Sequence, residues 1–140
     1  MTNKNPHLKH IRLTGYKSIK TLDLEMKPIN MLIGANGAGK SNFISLFTFL
    51  SQLSHGRLTN YVEKNGGANT FFHFGTKTTE EISIDIDVAL NGYHVSFEHG
   101  SNDDTLIFNQ EYCTFTGSPR IWTVKGSQGE SGLLPDGAAS

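Results

Sequence analysis

The chain has 140 residues, of which 36% are hydrophobic and 18% charged, and its net charge is -1 at pH 7. This combination is typical of one soluble globular domain with a sizeable core, and it argues against nucleic-acid binding through bulk positive charge. The single cysteine, Cys113, excludes an internal disulfide, and no apolar stretch is long enough to span a bilayer, so we expect a cytoplasmic protein without membrane contact.

Alternating apolar residues predict two half-buried strands near the N-terminus, at 8–14 and 21–26. The continuous apolar run INMLI at 29–33 then predicts a strand that is covered on both faces. Apolar residues recur nearly all round a helix at 43–53, which indicates a buried helix. A short second helix is expected at 60–64, where Asn60 and Glu63 have the spacing of a capping box.

The second half of the chain changes to a period of two. Apolar residues alternate at 82–90 and at 93–97, and the Asn91-Gly92 pair between them predicts a β-hairpin that turns at this dipeptide. Further short strands are expected at 105–108, 111–116 and 120–124. The Gly/Ser-rich residues 126–140 are typical of a flexible end or a cut-off connection.

These elements predict an α/β fold in which the parallel sheet is incomplete. It combines antiparallel strands, a single strand–loop–helix unit and a following hairpin-rich lobe at 70–125. A doubly wound sheet needs several parallel strands, and the sequence offers one. We therefore expect residues 1–125 to be the N-terminal lobe of a larger domain.

Residues 34–41 read GANGAGKS and match the phosphate-binding pattern G-x-x-x-x-G-K-[ST]. The glycines allow successive backbone N–H groups to point into one concavity, and the helix that follows directs its positive dipole end there. Lys40 is expected to contact the β- and γ-phosphates, and Ser41 to offer its hydroxyl to Mg²⁺. The predicted nucleotide site comprises Gly34, Ala35, Asn36, Gly37, Ala38, Gly39, Lys40, Ser41 and Asn42.

Other polar residues carry weaker signals. Asp85 and Asp87 lie on the polar face of a predicted strand, where solvation is the expected state. His94 and His99 have a poor spacing for a metal site. His73 lies between aromatic residues, which favours a packed histidine over a functional one.

The stretch GANGAGKSN at 34–42, with IRLTGYKSI at 11–19, resembles the P-loop ATPases of the ABC, SMC and RecF type, and most closely the small bacterial RecF-like AAA ATPases. Residues 71–100 are similar to the antiparallel lobe of that group, so the resemblance covers about 7–125. It implies ATP and Mg²⁺ at 34–42, with Lys40 as the catalytic lysine. It further implies a nucleotide held between two ATPase heads, in DNA metabolism or phage defence.

The same resemblance makes Gln110 a candidate for the glutamine that senses Mg²⁺ and the γ-phosphate, with ordinary loop polarity as the alternative. It also implies that three further parts are needed for hydrolysis. These are an apolar strand ending in Asp-Glu, a signature loop of LSGG type and a switch histidine. Residues 126–130 (GSQGE) are only superficially similar to a signature loop, because no helix-forming stretch follows them. Since phosphoryl transfer depends on positioning and electrostatics, a chain with half of the site is expected to bind ATP better than it hydrolyses it.

Two functional alternatives stay open beside an ATPase that needs a C-terminal half or a second head. The chain is otherwise a non-catalytic nucleotide-binding or interaction subunit, or a degenerate truncated remnant. DNA is a further possible partner, because half of the basic residues precede the loop. They are either the solvated faces of two strands or a nucleic-acid surface: Lys4, Lys9, Arg12, Lys17, Lys20 and Lys27.

Overall fold

A computed structural model of the protein describes residues 7–101, 103–115, 118–125 and 130–133, with the backbone alone for 118–125. Its strands are β1 (Leu8–Tyr16), β2 (Ile19–Glu25), β3 (Glu81–Val88), β4 (Asn91–His99), β5 (Leu106–Phe115) and β6 (Ser118–Lys125). They form one antiparallel sheet in the order β2-β1-β3-β4-β5-β6.

The helices are α1 (Lys40–Ser54), α2 (Leu58–Lys64) and a 3₁₀ turn (Ala68–Phe71), and their apolar side chains share one core with the sheet. Phe49 of α1 is fully buried at the centre of this core. Its ring lies 5.7 Å from Tyr16, 5.7 Å from Phe71 and 5.5 Å from Phe97, measured between ring centroids. None of the described helices is long and apolar enough to cross a membrane.

The predicted hairpin is confirmed, but the position of its turn is wrong. Val88 pairs with Asn91, so the turn consists of Ala89 and Leu90, and the Asn91-Gly92 pair lies inside β4. Ala89 takes the positive φ of 52° that the turn needs, and Gly92 does not adopt one. A Cβ at Gly92 would lie 2.5 Å from Thr114 Oγ1 on β5, so close packing between strands requires the glycine there.

The predicted second helix is confirmed, with a different start. It begins at Leu58, and no side-chain cap is formed by Arg57, the residue before it. The capping box of Asn60 and Glu63 is therefore wrong, because Asn60 is already inside the helix. The Glu130 carboxylate, far away in sequence, accepts hydrogen bonds from the Leu58 and Thr59 N–H groups at 3.0 and 2.9 Å and satisfies the free donors of this helix end.

The two short strands predicted at 105–108 and 111–116 form one strand, β5. Phe108 pairs with Phe97 and Gln110 with Ser96, so Asn109 is the extra residue of a β-bulge. The bulge interrupts the alternation of apolar and polar residues without ending the strand. A pattern of period two therefore predicts two short strands where there is one.

The strand predicted at 29–33 is wrong. These residues have no strand pairing, and Ile29, Met31 and Ile33 are 86%, 79% and 85% exposed. Asn30 instead closes a turn with Lys27: its Oδ1 accepts the Lys27 N–H at 2.9 Å and its Nδ2 donates to the Lys27 carbonyl at 2.6 Å. A strand needs partners for its N–H and C=O groups, and the described strands all pair with one another in the antiparallel sheet.

A buried carboxylate fastens residues 131–132 to the sheet. Glu111 of β5 is only 1% exposed, and three donors reach it: Tyr93 Oη at 2.8 Å, Ser131 Oγ at 2.5 Å and the Gly132 N–H at 2.9 Å. Burial, together with the neighbouring carboxylate, raises the pKa of Tyr93 and keeps its hydroxyl a donor. Glu111 and Glu130 together tie 130–133 to both the sheet and α2.

Glu111→Ala is expected to lower the free energy of unfolding by about 2–3 kcal/mol, because three donors would lose their buried acceptor. Urea denaturation measures the change. Glu98→Ala, at an exposed carboxylate of the neighbouring strand, is the matched control and should stay within about 0.5 kcal/mol of the unmodified chain. Equal effects of the two substitutions would contradict the clamp.

Ile33→Glu is expected to leave the stability of this chain within about 0.5 kcal/mol, because the side chain is already exposed. It should also reduce self-association, measured by light scattering, since it interrupts an apolar surface. Ile84→Glu, at a fully buried position of β3, is the contrasting variant and should abolish the fold. A large loss of stability in Ile33→Glu would mean that 29–33 is buried in solution.

Candidate phosphate-binding site

Residues 34–39 form a glycine-dependent loop that leads into α1. Gly37 and Gly39 have φ angles of 85° and 94°, which side chains rarely tolerate. A Cβ at Gly34 would lie 3.2 Å from the Ala38 Cβ, so the loop also closes tightly on itself. Both features follow from the glycine spacing of the sequence.

The loop and the first turn of α1 enclose a cavity of about 290 Å³. No side chain caps α1, its N-cap residue is Gly39, and no acidic residue lies in its first turn. Uncapped N–H groups and the positive end of the helix dipole favour an anion at this point. The cavity is lined by Asn36, Gly37, Gly39, Lys40, Ser41 and Asn42.

Lys40 folds back over the loop. Its Nζ donates to the carbonyls of Gly34 and of Ala35, the latter at 2.7 Å. The ammonium is thus held at the mouth of the cavity by weak neutral acceptors, which a phosphate oxygen would outmatch as a charged acceptor. Ser41 is exposed, and its hydroxyl has no partner among the described residues.

A hydrogen-bond network fixes the first turn of α1 on the β1–β2 turn. The buried hydroxyl of Tyr16 lies 3.0 Å from Ser45 Oγ, which donates to the Asn42 carbonyl at 2.8 Å. The Asn42 amide in turn donates to Ser18 Oγ at 2.7 Å. Burial raises the pKa of Tyr16 and keeps this hydroxyl protonated.

The sequence patterns at 8–14 and 21–26 did not indicate the roles of Tyr16 and Ser18, which lie between the two predicted strands. A signal was present, since an aromatic residue and a serine flank a lysine at a strand end. Lys17 has a positive φ of 48°, and its Nζ lies 4.8 Å from the centroid of the Phe71 ring. Burial lowers the pKa of Lys17, and the face of the Phe71 ring attracts its cation.

The remaining candidate residues lie outside the loop cavity. Gln110 is exposed in the middle of β5 and is not among the residues lining the loop cavity, so its role as a sensor stays a prediction. His73 is packed as expected, with Nδ1 2.8 Å from the Lys17 carbonyl. Asp85 and Asp87 are paired, with His94 at 2.8 Å and Arg12 at 3.2 Å.

Comparison with known proteins gives a family match over more than half of the chain. The protein family described as "AAA domain, putative AbiEii toxin, Type IV TA system" matches residues 29–115. Two relatives are described as "DNA replication and repair protein RecF". The protein of Acidothermus cellulolyticus is 30% identical over 86 residues, or 60% of this chain and 23% of the relative, and that of Paenarthrobacter aurescens is 35% identical over 54 residues, or 38% and 14%.

A solved structure shares the fold. It comes from work described as "Structural biochemistry of ATP-driven dimerization and DNA stimulated activation of SMC ATPases" and superposes with a TM-score of 0.50 at 16% identity, covering 84% of this chain and 72% of the other. The chain spans less than a quarter of the length of the two RecF relatives. These matches confirm the resemblance to RecF- and SMC-type P-loop ATPases.

Alanine substitutions at the two left-handed glycines are expected to differ. Gly37→Ala should cost about 1 kcal/mol of stability through backbone strain alone, because its Cβ would meet open space. Gly39→Ala should cost about 1 kcal/mol more, because its Cβ would lie 3.2 Å from Ser18 Oγ and disturb the bond to Asn42.

Urea denaturation of the single and double variants measures this difference. In a Ser18→Ala background the two glycine substitutions should have equal costs. A difference that survives Ser18→Ala would show that contact with the β1–β2 turn is not its cause.

Proposed function

This chain belongs to the family of AAA domains that its matching model describes, and on that premise we propose that it binds ATP with Mg²⁺ through residues 34–42, within an ATPase of the RecF and SMC type. The observation that carries the proposal is the uncapped start of α1 behind two left-handed glycines, with Lys40 held over the same cavity. Backbone donors, a helix dipole and a cation that converge on one cavity form an anion site.

Each residue has a distinct part in this proposal. The N–H groups at the start of α1 bind phosphate oxygens, and Lys40 leaves the loop carbonyls to neutralise the β- and γ-phosphates. The unpartnered Ser41 hydroxyl fits Mg²⁺, which prefers oxygen ligands and retains waters and phosphate oxygens as the others. When bound, Mg²⁺ would supply charge neutralisation between the β- and γ-phosphates.

Holding ATP and hydrolysing it are separate tasks. The loop cavity is lined by glycines, two asparagines, a lysine and a serine, and no carboxylate is among these residues to orient an attacking water. We therefore assign hydrolysis to the complete ATPase, with groups from another part of the protein or from a second head. The second candidate function is that of a non-catalytic subunit that uses ATP as a structural ligand. The absence of a carboxylate from the residues that line the loop cavity favours this function too.

An exposed apolar surface beside the loop supports the need for a covering partner. It comprises the four exposed apolar residues of 29–33 and, on α1, Ile44 and Phe47, which are 59% and 39% exposed. Exposed apolar patches mark interaction sites, and an extended unpaired segment offers its backbone to a further strand. We propose that additional strands of the ATPase, in the same protein or a partner subunit, pair with residues 29–33.

A DNA contact is proposed only for the complete ATPase. The relatives' descriptions mention DNA, and two of the basic residues that precede the loop, Arg12 and Lys27, are paired with carboxylates in this chain. Arg12 bonds with Asp87, His10 with Asp23, and Lys27 with Glu25. These pairs reduce the positive field at their own positions, which weakens the attraction for a phosphate backbone there.

Lys40→Ala is expected to weaken ATP binding at least about tenfold, because a charge-assisted contact to the phosphates is lost. Isothermal titration calorimetry with ATP and Mg²⁺ measures the affinity. Lys9→Ala removes an exposed cation of β1 outside the cavity and should leave binding unchanged. Absence of ATP binding by the unmodified chain would refute the proposal, and steady ATP turnover by this chain alone would refute the assignment of hydrolysis to other residues.

A further inference from the structure

A second cavity, of about 550 Å³, adjoins the phosphate loop. Asn42 lines both cavities, and Ser18, its hydrogen-bond partner, also lines the second one. The two cavities therefore meet at the first turn of α1. The floor and walls of the second cavity include Lys17, Asn65, Asn69, Phe72 and Phe74.

Phe74 is the unusual residue of this cavity. Its side chain is 82% exposed, and its backbone has a φ of 55°, a conformation that costs a bulky residue about 1–3 kcal/mol. The ring stands against His73, with 4.3 Å between the ring centroids. A large apolar side chain that is both strained and exposed gains nothing for this fold by itself.

The segment that carries Phe74 is firmly held on both sides. The His73 N–H donates to the Gly15 carbonyl at 2.9 Å, and His73 Nδ1 lies 2.8 Å from the Lys17 carbonyl. Thr79 Oγ1 donates to the His73 carbonyl at 2.5 Å. The exposed ring is therefore presented on a rigid support, as a planar ligand would require.

Two amide side chains line the same cavity as the ring. Asn69 Oδ1 accepts hydrogen bonds from the Thr76 N–H and hydroxyl, both at 2.9 Å, while Asn69 Nδ2 has no partner among the described residues. Asn65 Nδ2 donates to the Tyr61 carbonyl at 2.7 Å, and its Oδ1 likewise has no partner in the described part of the chain. A free donor and a free acceptor beside an aromatic face suit a heterocyclic base better than an aliphatic or a charged group.

We propose that this second cavity binds the base of the nucleotide, with Phe74 stacked on the base plane and the Asn65 and Asn69 amides facing its polar edge. The proposal rests on phosphate binding at residues 34–42, because the shared Asn42 joins the two cavities. The strain at Phe74 is then offset when the ligand binds. Phe74 is a binding and specificity residue, and it takes no part in phosphoryl transfer.

The test compares ATP with inorganic triphosphate, which has the phosphates but no base. Both are titrated calorimetrically, with Mg²⁺, into the full chain and its variants. Phe74→Gly is expected to weaken ATP binding about tenfold and to leave triphosphate binding unchanged, because base–aromatic stacking alone is lost. Its urea midpoint should be unchanged or higher, because glycine tolerates the positive φ.

Two further variants complete the test. Phe74→Trp keeps an aromatic face and should retain ATP affinity, whereas Phe115→Ala removes another exposed aromatic ring, on β5, and should change neither ligand. Triphosphate binding as tight as ATP binding, or equal weakening of both ligands by Phe74→Gly, would overturn the base site while phosphate binding stands. Failure of both ligands to bind the unmodified chain would overturn phosphate binding as well.

Discussion

The burial of Phe49 is the contact on which the rest of the structure depends. Its ring meets Tyr16 of the first strand, Phe71 of the 3₁₀ turn and Phe97 of the fourth strand, so one side chain joins the helix, the sheet and the connecting segment. Edge and tilted contacts between aromatic rings add to the large area that each ring buries. Because Phe49 sets the position of α1 on the sheet, the helix start falls beside the Tyr16–Ser45–Asn42 network, and the glycine loop has a fixed base.

The two faces of α1 differ in solvent exposure. Phe43, Leu46, Phe49 and Leu53 face the core, while Ile44 and Phe47 remain exposed, as do the apolar residues of 29–33. The antiparallel sheet can cover only one side of the helix, and the segment before the loop has nothing to pair with in the described residues. The site is therefore fixed on the side of α1 that packs on the sheet. It is open on the opposite side, where further parts of an ATPase would supply the groups for hydrolysis.

Much of the fold follows from sequence periodicity, and the departures have identifiable physical causes. The first two strands, the helix and the hairpin have strong periodic patterns, so their positions are predicted correctly. The expected burial all round the helix is wrong, because Ile44 and Phe47 are exposed and only one face packs on the sheet. The Asn91-Gly92 pair led to a wrong turn position because glycine is needed for close packing as well as for turns. The close approach to Thr114, which shows that packing is the reason here, depends on tertiary structure. The apolar run at 29–33 is typical of a buried strand. A strand is buried only where neighbouring strands pair with it, and hydrophobicity alone does not show whether such strands are present. Glu130 at the start of α2 and Phe74 beside the loop are brought there by tertiary structure alone, and neither has a local pattern.

Two of the three described non-glycine residues with positive φ lie close to the phosphate loop. Gly37, Gly39, Lys17 and Phe74 all have positive φ, and they flank the pair formed by Asn42 and Ser18. The strain at Phe74 brings its side chain no burial in this chain, since the ring is 82% exposed. Its retention beside free amide groups is understandable if a ligand completes the packing. The loop would then recognise phosphates through its backbone, and the neighbouring cavity would distinguish a nucleotide from bare phosphate. Neither cavity is lined by a carboxylate that could act as the general base of hydrolysis.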